Sequence, residues 1–134
     1  MKKQLKITSL LMLFIATSLF SACSKDDEID DPIVGKWFIK KYVEVYYNPN
    51  GTKGGEASTT DFDNNDFITF KANGEFENYS GISKYTKAGD KVTVTGKTNK
   101  TYTVKVLTEK ELQLLSTTTD KEDYRYEVTL TLQK

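Results

Sequence analysis

Apolar and polar side chains alternate with a period of two along much of residues 33–134, which is typical of β-strands that bury one face. No segment keeps a helical period for three turns, and turns rich in Asn, Gly, Lys and Asp separate the runs. Asn73-Gly74 is the strongest hairpin signal, because both central positions of a type I′ turn need a positive φ. The clearest alternation comes last, with apolar side chains at Tyr124, Tyr126, Val128, Leu130 and Leu132.

This pattern predicts an all-β domain of about eight antiparallel strands joined mainly by short turns. Such a meander can bury its apolar face in two architectures. It can close into an up-and-down barrel, which removes exposed sheet edges, or split into two packed sheets. Strand number alone leaves both the barrel and the two-sheet β-sandwich open.

The N-terminus follows a different pattern. Lys2, Lys3 and Lys6 surround the start of an apolar run at 7–20, and small residues precede Cys23, the only cysteine. This is the pattern of a secretory signal peptide. A membrane-spanning helix needs about 20 predominantly apolar residues, and this run is shorter and contains four hydroxyl residues, so an uncleaved anchor is disfavoured.

The position of the cysteine makes the segment resemble a bacterial lipoprotein signal. That resemblance implies that the Cys23 thiol is lipidated and that the chain is cut just before it. Phe20 stands where the lipoprotein pattern prefers Leu, so a secreted protein with an incidental cysteine is the alternative. Lipidation would also remove a free thiol, which is a liability in an oxidising compartment.

The residues directly after Cys23 are charged, and they are Ser24, Lys25, Asp26, Asp27 and Glu28. Such a segment serves as a solvated tether that holds a domain away from a membrane. Next to a lipidated cysteine it also resembles the acidic export signal with which one group of Gram-negative bacteria sends lipoproteins across the outer membrane. We therefore predict a signal peptide at 1–22, a lipidated cysteine with an acidic tether and export signal at 23–32, and one domain at 33–134. The expected location is the outer membrane, facing the cell surface.

The charge composition narrows the classes of molecule that this chain could bind. The chain has 19 Lys and Arg against 19 Asp and Glu, and three of the lysines lie in the signal peptide, so the mature chain is slightly acidic. Nothing in this balance favours nucleic acid, which requires a basic patch. Membrane attachment would come from the lipid alone. With Cys23 lipidated, no disulfide can stabilise the domain.

Catalysis is disfavoured by the absence of histidine, which excludes Ser-His and Cys-His pairs and His-based zinc sites. No spacing singles out two carboxylates for glycoside hydrolysis. The oxygen-rich cluster Asp61, Asp63, Asn64, Asn65 and Asp66 lacks the Gly and Glu of an EF-hand and is more typical of a solvated loop. We expect no enzymatic activity, no cofactor and no metal site.

The first residues of the domain contain a motif that is found in a known protein family. Gly35-Lys36-Trp37 resembles the GxW opening of lipocalins, and the later runs follow in an order similar to the lipocalin-like domain of small bacterial lipoproteins. Those runs are the 68–76 hairpin, the 89–94 strand, the 106–112 step and the Tyr-rich last strand. The resemblance favours the barrel over the sandwich and implies that Trp37 plugs one end of it. In that family an arginine near the last strand covers the tryptophan, but the parity of Arg125, the only arginine, puts it on the outer face. The departures are a long 48–66 loop and no tryptophan after the central hairpin.

Two binding functions remain open. The first is a small hydrophobic ligand held inside the barrel, although the same inward side chains could simply fill it. The second is a protein or glycan contact at an aromatic stripe on the outer face of the first strand. The inward set is Val43, Phe70, Tyr102, Val104, Tyr126 and Val128. The outward set is Phe38, Tyr42 and Tyr46.

Overall fold

The computed structural model describes residues 28–134, and the predictions for the signal peptide, for Cys23 and for Ser24 to Asp27 lie outside the described residues. The described chain is all β. Its strands are β1 (Gly35–Tyr47), β2 (Lys53–Thr59), β3 (Phe67–Phe70), β4 (Glu75–Asn78), β5 (Gly81–Ala88), β6 (Lys91–Gly96), β7 (Lys100–Leu107), β8 (Glu111–Thr119) and β9 (Arg125–Gln133). Within 28–134 no helix is long and apolar enough to cross a membrane.

Eight of these strands form a closed antiparallel barrel. β1 pairs with β3, each later strand pairs with the next, and β9 returns to pair with β1. Closure leaves the barrel strands without a free edge, which is the physical advantage of this architecture. The predicted barrel is confirmed, and the sandwich is not adopted.

The ninth strand, β2, lies within the stretch that the sequence predicted as a long loop. β3 pairs only with the first part of β1, over Gly35–Phe38, so the same edge of β1 would be left open farther along. β2 pairs there with Tyr42–Tyr47 and satisfies those backbone groups. β1 therefore pairs with β3 and then β2 along one edge and with β9 along the other.

A bulge in β1 reverses which side chains face inward. The pairing with β9 shifts between Ile39 and Lys41, which leaves Lys40 as the extra residue. Directly opposed residues share a face, so Tyr42 lies on the inner face with Leu130, whereas Val43 lies on the outer face with Thr129. The prediction that Val43 faces inward and that Tyr42 and Tyr46 face outward is wrong, because it continued the period of two through the bulge.

The hairpin at Asn73-Gly74 forms with a different turn. Only Gly74 has a positive φ, of 83°, and Asn73 does not. The Gly74 amide donates to the Lys71 carbonyl at 3.0 Å, and the Lys71 amide donates to the Glu75 carbonyl at 2.8 Å. This is a three-residue loop, a type I turn closed by a glycine bulge, rather than the predicted type I′ turn.

The barrel has two unlike ends. The closed end holds the start of β1 and the turns after β3, β5 and β7, and fully buried side chains fill it. The open end, called the mouth below, carries the turns after β4, β6 and β8 and the 60–66 loop. The fully buried apolar side chains include Ile33, Trp37, Phe70, Phe76, Leu112 and Leu132.

The segment before β1 is attached to the closed end. The Ile29 amide donates to the Ala72 carbonyl at 2.7 Å, and Lys87 forms an ion pair with Asp31 at 2.8 Å. Ile33 is completely buried. Among the described residues, Ile29 and Asp31 therefore contact the barrel although they precede the predicted domain boundary at residue 33.

Candidate functional site

Trp37 lies at the closed end and has no exposed surface. Its indole Nε1 donates a hydrogen bond to the Ile33 carbonyl at 2.7 Å, which satisfies the one polar atom of the ring. The Lys134 ammonium lies 4.5 Å from the ring centroid. Arg125 is on the outer face, as its parity predicted, with its guanidinium 4.2 Å from the Tyr47 ring. The role of Lys134 was missed, although it continues the inward parity of Leu132.

The rest of the closed half is filled by aromatic rings. Phe70 meets Phe76 edge to face at 5.3 Å and Tyr85 at 5.0 Å between centroids. The Tyr85 hydroxyl donates to the Lys71 carbonyl at 3.0 Å. The prediction that Phe70 lines a cavity is wrong, because its side chain is completely buried against these rings and does not line the cavity of the mouth. Val104 is half-buried against the core and does not line the cavity either.

The mouth half is hollow and contains a cavity of about 280 Å³. Of the predicted lining residues, Tyr102 and Val128 line this cavity, and Tyr126 lies farther out. The apolar part of the wall is contributed by Ile39, Ile68, Val128 and Leu130, and the phenols by Tyr42 and Tyr102. The rim comprises Phe62, Asn78, Tyr79, Ser80, Thr98, Asn99 and Lys100.

Hydrogen bonds tie two of the rim turns together. The Asn78 side-chain amide donates to the Thr98 hydroxyl at 3.2 Å, and the Thr98 backbone amide donates to the Ser83 hydroxyl at 3.0 Å. Tyr79, at the tip of the β4–β5 turn, is 95% exposed. Phe62 reaches the cavity from the 60–66 loop and is half-buried. The rim therefore combines a braced polar side with an aromatic edge.

A tyrosine and a carboxylate share the inner wall of the mouth. The Tyr42 hydroxyl donates to Glu44 Oε2 at 2.7 Å. Burial raises the pKa of Tyr42 to about 12, with further contributions from that hydrogen bond and from the charge of Glu44. Burial also raises the pKa of Tyr102, deeper in the cavity. Both phenols stay protonated at neutral pH, and their oxygens can accept a hydrogen bond from a ligand.

A second, more open groove of about 400 Å³ continues from the outer part of the mouth. It is lined by Tyr46, Tyr124 and Tyr126 and by the carboxylates of Asp120 and Glu122. The rings of Tyr46 and Tyr126 lie 6.4 Å apart and are tilted by 34°. Neither these carboxylates nor Glu44 stood out in the residue pattern.

The predicted aromatic stripe on the outer face does not form. Phe38 is on the outer face, half-buried, with the ammonium groups of Lys36 and Lys40 at 5.2 Å and 5.8 Å from its ring centroid. Tyr42 and Tyr46 are on the inner face because of the bulge. A protein or glycan contact at these three residues thus loses its geometric basis.

The oxygen-rich 61–66 loop uses its side chains to build its own turns. Asp63 Oδ1 accepts a hydrogen bond from the Asn65 amide at 2.6 Å, and Asp66 Oδ2 accepts one from the Asp63 amide at 2.9 Å. Over residues 28–134 no group of three or more acidic, His or Cys side chains is arranged to hold a metal ion. These side chains therefore stabilise the conformation of the loop itself.

Comparison with known proteins gives no relative. No protein-family model, no curated protein and no solved structure matches this chain. The likeness to lipocalin-like lipoprotein domains stays a prediction, and the assignment of function depends on the fold and on the geometry of the mouth.

Proposed function

We propose that this chain is a lipid-anchored outer-membrane lipoprotein, displayed at the cell surface, whose barrel binds a small and largely apolar molecule without transforming it. The observation that carries the ligand part is the unequal filling of the barrel. Aromatic side chains fill the closed half, and a cavity of about 280 Å³ occupies the mouth half. Ligand sites are typically concave, mostly apolar and about 300–1,000 Å³ in volume, and this cavity lies just below that range, so it suits a ligand of only a few heavy atoms or a single ring.

The lining of the cavity supports an amphipathic ligand. Leu130 and Val128 provide one apolar wall, and Ile68 provides another. The phenols of Tyr42 and Tyr102 place polar atoms at defined positions among these side chains. A few oriented polar groups in an apolar pocket are the usual source of orientation and specificity in ligand sites.

The attachment of the N-terminal segment supports a particular orientation on the membrane. Ile29 is hydrogen-bonded to Ala72 at the closed end, and it is the sixth residue after Cys23. A chain of that length spans at most about 20 Å. A lipid on Cys23 would therefore hold the closed end near the bilayer and leave the mouth facing away from it. A ligand would then enter from the surrounding medium.

The lipid anchor has a direct test. Cys23→Ser should release the protein from membranes, because thioether lipidation requires the thiol, and fractionation of cells measures this. Sedimentation of the variant with the membranes would contradict the anchor. Replacement of Asp26, Asp27 and Glu28 by Ala should keep the protein membrane-bound but remove its accessibility to protease on intact cells. Unchanged accessibility would contradict surface export through these residues.

The cavity has a matched pair of variants on one strand. Val128→Phe places a larger side chain in the mouth, whereas Thr129→Phe places the same side chain on the outer face. With indole as a neutral probe and saturation-transfer NMR as the measurement, Val128→Phe should weaken binding by about tenfold or more. Thr129→Phe should leave it unchanged. Equal binding to all three proteins, or no binding to the unaltered chain, would contradict a ligand site in the mouth.

A further inference from the structure

The inner face of four strands continues past the cavity toward the open end of the barrel. We call this surface, on β2, β1, β9 and β8, the mouth wall. Directly opposed residues place its side chains in three rows. The row nearest the cavity is Thr59, Tyr42, Leu130 and Leu114, the middle row is Ala57, Glu44, Val128 and Ser116, and the outer row is Gly55, Tyr46, Tyr126 and Thr118.

Glu44 is the one acidic side chain in these rows, and it has no cationic partner within the described part of the chain. It takes part in none of the ion pairs found over residues 28–134. Its one side-chain hydrogen bond there comes from the Tyr42 hydroxyl at 2.7 Å. It is half-buried at the centre of the wall. A carboxylate in that position favours a positive charge beside it.

The outer row adds aromatic surface and more negative charge. Tyr46, Tyr124 and Tyr126 line the open groove with Asp120 and Glu122, and no Lys or Arg of the described residues lines it. The face of a phenol ring attracts a cation, and ring faces close to carboxylates form the usual surroundings of an organic ammonium group.

Two glycines make room for the Tyr46 ring. A Cβ atom built at Gly54 or at Gly55 would collide with that ring. The ring therefore lies directly over the backbone of β2, and any larger residue there would displace it. The Gly-Gly pair of β2 therefore leaves the space that the Tyr46 ring occupies.

Two basic residues near the mouth lie outside the mouth wall. Lys100, the basic residue that lines the cavity, comes from β7 rather than from the mouth wall, and its ammonium lies 5.9 Å from the Tyr102 ring. Arg125 is on the outer face over Tyr47. Among the described residues, the rows of the mouth wall and the lining of its groove therefore contain carboxylates and ring faces but no Lys or Arg, whereas the cavity rim carries Lys100.

We infer that the mouth selects a small organic cation, an alkyl- or arylammonium compound, whose apolar body enters the cavity and whose ammonium group lies against Glu44 and the tyrosines. This inference rests on the proposed function, because it assigns the ligand class of the same cavity. Anions of the same size would be repelled by the carboxylates of Glu44, Asp120 and Glu122. A neutral ligand would gain neither the attraction of a cation to the ring faces nor the attraction to the carboxylates.

The test compares three probes with the same ring and different charge, which are benzyltrimethylammonium, benzyl alcohol and phenylacetate. The full chain is held in nanodiscs free of choline lipids and titrated by isothermal calorimetry, with empty nanodiscs subtracted. We expect benzyltrimethylammonium to bind about tenfold more tightly than either other probe. Glu44→Gln should remove most of that preference. The control Glu56→Gln, on the outer face of β2 in an ion pair with Lys53, should keep it.

A second pair of variants covers the case in which Glu44→Gln does not fold, which circular dichroism would reveal. Tyr46→Leu removes a ring from the mouth wall and should weaken the cation several-fold, whereas Tyr47→Leu, on the outer face, should not. If benzyl alcohol or phenylacetate binds as tightly as the cation, or if control and test variants behave alike, the inferred selectivity for cations is wrong. The proposed ligand site in the cavity would then remain supported. If none of the three probes binds, both this inference and the proposed ligand site are wrong.

Discussion

The two halves of the barrel are built by the same strands but differ in how their inward side chains fill the space. In the closed half, Trp37, Phe70 and Phe76 are completely buried and meet one another or the N-terminal segment. In the mouth half, the corresponding inward positions of β1 and β9 are Glu44 and Val128, and a cavity remains. Side-chain size at a few inward positions, rather than strand number or topology, therefore decides whether part of this barrel is a core or a site.

The bulge at Lys40 marks the boundary between the halves. Before it, β1 points Trp37 and Ile39 inward, with the period of an ordinary strand. After it, the inward positions are Tyr42, Glu44 and Tyr46, which are polar or amphipathic. Without the bulge, Val43 and Val45 would face the mouth and Glu44 would face solvent. One extra residue thus converts an apolar wall into a polar and aromatic one.

The largest expected difference between the halves follows from removal of a side chain. Phe70→Ala should lower the free energy of unfolding by about 3–5 kcal/mol, because it leaves a void in a packed core. Val128→Ala should cost about 1 kcal/mol, because its side chain already borders open space. Urea denaturation of both variants measures this. Equal losses would mean that the mouth is packed as tightly as the closed end.

The reverse substitution should separate the halves by a smaller amount. Val92→Phe adds volume at a completely buried position and should lower the free energy of unfolding by about 1–3 kcal/mol. Val128→Phe, which extends into the cavity, should leave that free energy within about 0.5 kcal/mol of its original value or raise it slightly. Thermal unfolding of the two variants gives the comparison, and a strongly destabilised Val128→Phe would contradict the hollow mouth.

At the closed end, the ion pair between Asp31 and Lys87 should make a modest, pH-dependent contribution. Burial alone would raise the pKa of Asp31, but hydrogen bonds from Lys87 and from the Ile33 amide, with the Lys87 charge, outweigh it and lower that pKa. Because the folded pKa is below the unfolded one, the stabilisation is present above about pH 4 and is lost as the pH falls through the folded pKa.

Asp31→Asn should therefore lower the free energy of unfolding by about 1 kcal/mol at pH 7 and by much less near pH 2. Urea denaturation at the two pH values provides the measurement. A loss that stays the same at both values would show that the charge of Asp31 does not hold the N-terminal segment on the barrel.

In the mouth, the smallest effect concerns the ionisation of Tyr42. Its folded pKa of about 12 is above that of an unfolded chain, so its contribution to stability is present below about pH 10 and is lost between pH 10 and 12. Glu44→Gln removes a charge but not the burial, so the pKa of Tyr42 should fall below 12 and remain above 10. The absorbance of tyrosinate, taken as the difference from the Tyr42→Phe protein, measures this pKa. An unchanged pKa in Glu44→Gln would show that Glu44 does not influence the ionisation of Tyr42.

The sequence predicted the antiparallel all-β domain because alternation and short turns survive in any antiparallel sheet that buries one face, and the resemblance to lipocalin-like domains favoured the barrel over the sandwich. It also placed Arg125 outside, since β9 has no bulge. It failed on β1 because a bulge leaves little trace in the order of apolar residues, and Val43 and Val45 continue the apparent alternation. β2 was missed because Lys53–Thr59 contains few residues that favour strands, and its pairing is determined by the exposed edge of β1.

The division into filled and hollow regions could not be predicted from the sequence. Phe70 and Val128 are both apolar, inward residues of strands, and periodicity treats them alike. Whether either lines a cavity depends on the side chains that face it across the barrel, which only the three-dimensional register determines. Glu44 was overlooked for the related reason that an acidic residue within a strand is expected on the wet face.

Native mass spectrometry of the protein extracted from the membranes of its own host tests most directly whether the hollow mouth is a ligand site. We predict a bound small molecule on the unaltered chain, retained on Thr129→Phe and lost from Val128→Phe. An unaltered chain with no bound molecule, or the same bound molecule on Val128→Phe, would contradict the account.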